Sequence, residues 1–320
     1  MDWTYRKGLH DIGNGCFAWL APDGSWGWSN AGLITDGEES LLVDTLFDLA
    51  LTQEMLDAMR DAAPLAAGQF NTQVNTHANG DHCHGNELVV GAEIIASRAS
   101  AEEMAELTPA TMAELARAAH DMGAMGEYFL HCFGRFQFEG ITFTPPTRTF
   151  SDQLELQVGD KKVELLNVGP AHTRGDVLVH CPADKTVFTG DILFIEGTPI
   201  MWQGPVENWI AACKRIEAMD VETIVPGHGP ITDKAGVQRV RAYLEYVRDE
   251  ARTRFDAGMP ALEAARDIDL GCYAEWLDAE RIAVNVDTLY REFSGSAEAS
   301  NVLALFEQMA ALAGFVDQPQ

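Results

Sequence analysis

Residues 77–85 hold three imidazoles (His77, His82, His84), one carboxylate (Asp81) and one amide (Asn79). Nitrogen and oxygen donors packed this densely are the sequence form of a transition-metal site. A zinc ion held there would lower the pKa of bound water from about 15.7 to about 7 and polarise a scissile carbonyl, so the chemistry to expect is metal-dependent hydrolysis. Three further segments end in one metal-capable side chain: Val168-Gly169-Pro170-Ala171-His172, Phe188-Thr189-Gly190-Asp191 and Val225-Pro226-Gly227-His228. Each reads as a strand, a glycine that lets the backbone turn sharply, and a donor.

These donors need rigid strands to carry them, and the pattern supplies strands. Cys16 to Leu20 and Gly32 to Thr35 are short apolar runs, and the Asp36-Gly37 turn leads into Ser40 to Asp44, giving a β-meander. From Thr45 to Ala63 the apolar residues fall at helical spacing until Pro64 and Gly68. Phe70 to Thr76 is the strand that delivers the histidine cluster, with a helix-like run from Glu87. Residues 97–138 turn rich in Ala, Glu and Met and predict two or three inserted helices that cover a site or make a subunit contact. Beyond them Ile141 to Thr144, Leu154 to Val158, Val163 to Val168, Val177 to His180, Thr186 to Thr189 and Thr223 to Val225 read as strands. Trp209 to Met219 and most of Gly236 to Ala313 read as helices. The expected class is α+β, a four-layer αββα sandwich, with residues 1–235 as one catalytic domain and 236–320 as a helical extension packed on it.

The five segments together resemble the metallo-β-lactamase superfamily, whose His-x-His-x-Asp-His motif corresponds to His77-Ala78-Asn79-Gly80-Asp81-His82. The resemblance implies metal ligands His77, Asp81, His82, His172, Asp191 and His228, with Asp81 also orienting the attacking water and Asp191 bridging two ions or holding one. One position departs from the motif: Asn79 stands where the family has its second histidine. Amide oxygen is a poorer zinc donor than imidazole, so the site built on His77 and His172 is weakened while the Asp81, His82, His228 site is complete. One or two zinc ions are therefore expected, with iron or manganese as alternatives. Asp44, at a strand end, is expected either to hydrogen-bond a ligand or to cap the following helix, and His84 to serve behind the ligands or at the surface rather than as a ligand.

Composition narrows the partners. Of 320 residues 22 are Lys or Arg and 49 Asp or Glu, a net charge of −27, which argues against nucleic acid and anionic membranes. No stretch approaches the roughly 20 apolar residues of a membrane span, residues 1–10 carry no apolar signal core, and the six scattered cysteines suggest reduced thiols; a cytoplasmic protein is expected. The substrate expected is a small molecule, a lactone, thioester, amide or ester, with an apolar or aromatic part against Trp26, Trp28 and Trp202, which could equally pack on the protein itself. Hydrolytic dehalogenation of an activated aromatic and a non-catalytic metal-binding role are the alternatives, and a homodimer is the expected assembly.

Overall fold

The computed structural model describes residues 4–296 and 300–316. Strands β1 (Gly8–Gly13), β2 (Cys16–Leu20), β3 (Ala31–Asp36) and β4 (Glu39–Val43) form an antiparallel meander, which β5 (Thr72–Val74), β6 (Glu93–Ser97) and β7 (Arg148–Phe150) extend in parallel to a seven-stranded sheet. A second sheet takes β8 (Gln153–Val158), β9 (Lys161–Asn167), β10 (Val177–Cys181) and β11 (Thr186–Phe188) antiparallel, with β12 (Thr223–Val225) parallel to β11.

Period-two alternation decides what meets between the sheets. Ile34, Leu41 and Val43 share the inner core with Val163, Leu165, Val177 and Val179, whereas Leu33 and Leu42 pack outward with α1 (Leu49–Ala62). The buried face of α1 is Thr52, Met55, Leu56 and Met59, spaced three and four residues apart. Each such buried Leu or Met is worth roughly 1.5–3 kcal/mol over its exposed state. Gly32 lets the sheets approach closely, since a Cβ there would stand 2.1 Å from the Phe188 ring.

The insert folds as α2 (Arg98–Glu103), α3 (Pro109–Ala118) and α4 (Gly123–Phe133). On the outer face of the second sheet, Trp209, Ile210 and Cys213 of α5 (Val206–Ala218) and Val237, Val240 and Leu244 of α6 (Lys234–Asp256) join Leu178, Val187 and Ile224 in one core. The chain continues through α7 (Ala261–Asp267), α8 (Ile282–Ser294) and α9 (Val302–Leu312), and Phe306 of α9 meets Phe133 of α4. The result is the four-layer αββα sandwich with a helical insert and helical C-terminal elements.

Several boundaries differ from the sequence reading. The sequence reading has no strand at β1 or β6: β1 is a half-exposed edge containing four polar or glycine positions, and β6 is a four-residue buried run whose apolar side chains show no alternation. The run from Glu87 is a short 3-10 turn, His84–Leu88, rather than the start of a long helix. Residues 141–144 form no strand, and Arg148–Phe150 beyond the two prolines pairs with β6 instead. Helix α1 starts four residues later than Thr45 because Asp48 caps it, accepting from the Leu51 amide at 2.8 Å.

Candidate metal centre

Strands β4, β5, β9, β11 and β12 all end at one edge of the sandwich. β4 and β5 are parallel, as are β11 and β12, and β9 runs with β11 because both oppose β10. The chain leaving these ends carries Asp44, His77 to His82, His172, Asp191 and His228. The two sheets are tied at this edge by the Val177 amide on the Thr76 carbonyl at 2.8 Å. The Asn30 side chain adds a second tie, donating to the Pro226 and Gly229 carbonyls at 3.0 and 2.8 Å. Glycine is required at 227: a Cβ there would stand 2.0 Å from Asp191 Oδ1 and 2.6 Å from the Gly190 carbonyl carbon.

Six of the expected donors meet. His82 Nε2 lies 3.1 Å from Asp191 Oδ1, His228 Nε2 lies 3.3 Å from Asp81 Oδ2 and 3.4 Å from Asp191 Oδ2, and His82 Nε2 lies 3.9 Å from Asp81 Oδ2. His77 Nε2 and His172 Nε2 stand 3.6 and 3.4 Å from Asp191 Oδ2. Ligand atoms 2.0–2.2 Å from a tetrahedral ion stand about 3.3–3.6 Å apart, so these separations suit a shared cation. The donors are buried, and His77 Nε2, His82 Nε2 and Asp191 Oδ1 have no hydrogen-bond partner among the described residues. Buried polar atoms left without partners call for an occupant, and these three are donors of the kind a divalent ion would use.

Each imidazole is also oriented from behind. His82 Nδ1–H donates to Asp44 Oδ2 at 2.9 Å, His172 Nδ1–H to the Ile200 carbonyl at 2.7 Å and His228 Nδ1–H to the Gly24 carbonyl at 3.1 Å. Thr76 Oγ1 donates to Asp44 Oδ2 at 2.7 Å and so accepts from His77 Nδ1–H at 3.0 Å. All four rings therefore turn Nε2 toward the cluster, the arrangement a metal ligand needs. Helix capping falls to Asp48 and not to Asp44.

The electrostatics favour a cation. Burial opposes ionisation of Asp81, yet His82 and His228 hold its carboxyl down to about 2; burial likewise opposes ionisation of Asp191, and His228, His82 and His77 hold it well below the ordinary range. Against the penalty of burial, Asp191 and its neighbouring carboxylates raise His82 well above its usual value and His228 to about 9. The same negative field draws protons or a metal to these lone pairs, and the two compete. His77 and His172 are pushed down by burial.

A cavity of about 700 Å³ opens onto Asp81, Asp191 and His228 and is walled by Met112, Phe129 and Phe133 of the insert and Leu303 and Phe306 of α9. Trp26 and Trp202 line it, whereas Trp28 packs on Phe136 at 4.9 Å and is not among the lining residues. His84 is buried at the cavity wall beside Phe47, with its ring held near 4 by burial, and takes no place in the donor cluster. Cys83 is a buried thiol, and the described cysteines are free. Asp176 accepts from the Thr173 amide and hydroxyl.

Three supporting residues went unread in the sequence. Phe194 stacks on His228 with ring centroids 5.0 Å apart and planes within 4°, Arg281 lies over Trp26 at 4.2 Å, and the Ser29 hydroxyl donates to the Asp81 carbonyl at 2.5 Å. A polar Ser-Asn pair entering an apolar strand was a signal for Ser29 and Asn30. Arg281, one of many charges in a helical stretch, gave none. No helix among the described residues is long and apolar enough to cross a membrane.

A family model described as the metallo-beta-lactamase superfamily matches residues 24–228, well over half of the chain. The acyl-coenzyme A thioesterase MBLAC2 of Bos taurus is 26% identical over 247 residues, covering 71% of this chain and 82% of that protein. A hydroxyacylglutathione hydrolase of Maricaulis maris (strain MCS10) is 27% identical over 221 residues, covering 67% of this chain and 62% of its own length. The stereoselective inverting sec-alkylsulfatase Pisa1 from Pseudomonas sp. superposes with a TM-score of 0.69 at 15% identity. That superposition covers 98% of this chain but 52% of the sulfatase, so the chain spans about half of its length. Strand order, the edge where the donors collect and the matched family agree: the chain belongs to the metallo-beta-lactamase superfamily.

Proposed function

We propose that this protein is a metal-dependent hydrolase of acyl thioesters or esters whose acyl group is extended and apolar. The observation that carries the reading is the apolar chamber opening directly onto the Asp81, Asp191 and His228 side chains. Its volume of about 700 Å³ lies within the range of sites that enclose most of a small-molecule ligand. The likeness to an acyl-coenzyme A thioesterase and a hydroxyacylglutathione hydrolase supports thioester chemistry.

His77, Asp81, His82, His172, Asp191 and His228 are the residues proposed to offer donors to the metal centre, and imidazole nitrogens with carboxylates suit zinc, with iron and manganese as alternatives. When bound, such an ion makes water nucleophilic at neutral pH and polarises the acyl carbonyl. Asp81, held ionised and lining the cavity, orients the attacking water and accepts its proton. The scissile C–S or C–O bond breaks as the new C–O bond forms, and the thiol or alcohol leaves with a proton. Asp44, Thr76 and the Ile200 and Gly24 carbonyls keep the rings in place throughout. The apolar walls bind the acyl chain and exclude water from it.

Thioesters of one thiol with acyl chains of two to sixteen carbons test this. Each methylene buried is worth about 0.8 kcal/mol, so kcat/KM should climb about fourfold per carbon until the chamber is full. Leu303→Trp, at an exposed residue of the chamber lining, should cut turnover of long chains while leaving short ones unchanged. A flat chain-length profile with metal-loaded protein would refute the proposal.

A further inference from the structure

Asn79 occupies the position that separates this chain from its family's motif, and its surroundings say what it does there. Its side-chain amide lies 2.8 Å from His172 Nε2. His172 Nδ1 faces the Ile200 carbonyl at 2.7 Å, and a carbonyl only accepts, so Nδ1 carries a proton. If that is the ring's one proton, Nε2 holds a lone pair and the amide turns its NH2 to it. If the ring carries two, Nε2–H donates to the amide oxygen. In both cases Nε2 is committed to Asn79, and no lone pair is left for an ion.

Position alone does not bar His172 from the centre, since its Nε2 is 3.4 Å from Asp191 Oδ2. The separation from Asn79 does: 2.8 Å is a hydrogen-bond distance, shorter than the about 3.3–3.6 Å between atoms sharing a tetrahedral ion. Without His172, a second ion would find only His77 and a shared Asp191, too few protein donors where three or four are usual. Asp81, His82 and His228 form a set of three by themselves, and beside it Asp191 Oδ1 stands 3.1 Å from His82 Nε2 and Asp191 Oδ2 3.4 Å from His228 Nε2.

We infer that this chain holds one ion, among Asp81, His82, His228 and Asp191, and that Asn79 withdraws His172 from the ligand set by hydrogen bonding to its Nε2. The inference rests on the metal-centre reading above and adds the ion count and the role of Asn79. His172 becomes a wall residue of the chamber, and Asn79, which also lines it, occupies space that a second ion would otherwise take.

Cobalt(II) titration of metal-stripped full-length protein, read by visible absorption and elemental analysis, tests it. Wild type should bind one equivalent, and His172→Ala should bind one with an unchanged spectrum, because a non-ligand has been removed. Asn79→His supplies an imidazole and releases His172, so it should bind two. Wild type binding two equivalents, with one lost in His172→Ala, would overturn the inference while leaving the hydrolase reading intact. No bound ion in any variant would overturn both.

Discussion

Replacing Asp44 by asparagine separates ligand orientation from bulk stability. Asp44 is buried, with a φ of 63° that asparagine tolerates, so the substitution changes the hydrogen-bond pattern and the charge but not the backbone. In the native site Oδ1 accepts from the Thr76 amide at 2.7 Å, and Oδ2 accepts from the Thr76 hydroxyl at 2.7 Å and from His82 Nδ1–H at 2.9 Å. An amide NH2 in place of Oδ2 faces two donors. The Thr76 hydroxyl can rotate, but the His82 ring must move its proton to Nε2, which points at Asp191 Oδ1 from 3.1 Å. Binding an ion then requires the proton to return to Nδ1 against the amide N–H. The loss is one charge-assisted hydrogen bond, roughly 1.5–3 kcal/mol, which corresponds to about 10–100-fold in metal affinity. Burial pushes the Asp44 carboxyl up, so removing its charge also relieves a desolvation cost, and the metal-stripped protein should keep its stability within about 1 kcal/mol. Competition against a chromophoric chelator measures the first quantity and urea unfolding of stripped protein the second. A folded Asp44→Asn protein with metal affinity within threefold of wild type would refute the reasoning, and a collapse of the stripped protein would make Asp44 a stability residue instead.

Two further substitutions probe the surroundings of the donors. Gly227→Ala places a methyl 2.0 Å from Asp191 Oδ1 against backbone that cannot yield easily, so Asp191 must move and metal affinity should fall by more than about 100-fold in the same chelator competition; unchanged affinity would mean the turn relaxes elsewhere. Asp176 is pushed up to about 7 by burial, which the hydrogen bonds from Thr173 do not offset. A carboxyl raised above its unfolded value of about 3.9 favours the folded state fully below that pH and loses the advantage as pH rises through about 7, an effect of up to about 4 kcal/mol. Asp176→Asn should remove that slope, so unfolding free energies of stripped wild type and variant should diverge between pH 4 and 7; parallel curves would show that Asp176 does not titrate there.

The candidate donors could be read from the sequence because each follows, in one short stretch of chain, the strand that leads to it. His77, Asp81 and His82 follow β5, Asp191 follows β11 and His228 follows β12, so strand, glycine and ligand are read together in one short window. The sandwich was legible for a related reason: alternation in Leu33-Ile34 and Leu41-Leu42-Val43 assigns alternate side chains to the two faces without knowledge of any partner. What stayed hidden depends on contacts between distant segments. Short β6 carries no alternation, and only its parallel neighbours β5 and β7 make it a strand.

The chamber shows where such local reading stops. Its walls come from α4, from the loop carrying Trp202 and from α9, and an amphipathic helix gives no indication which of its apolar residues will face a neighbouring helix and which a cavity. Trp26 and Trp28 illustrate this. Two residues apart in one loop, they carry the same side chain, yet Trp26 is clamped between Arg281 and Phe133 at the cavity wall while Trp28 turns to Phe136. The difference is set by α4 and the chain entering α8, elements far along the sequence. On the proposed reading, the candidate metal donors are encoded locally at strand ends, and the shape of the chamber is encoded in the packing of the insert against the C-terminal helices. Substitutions at the chamber should accordingly alter which acyl group is cleaved and leave the metal centre unchanged.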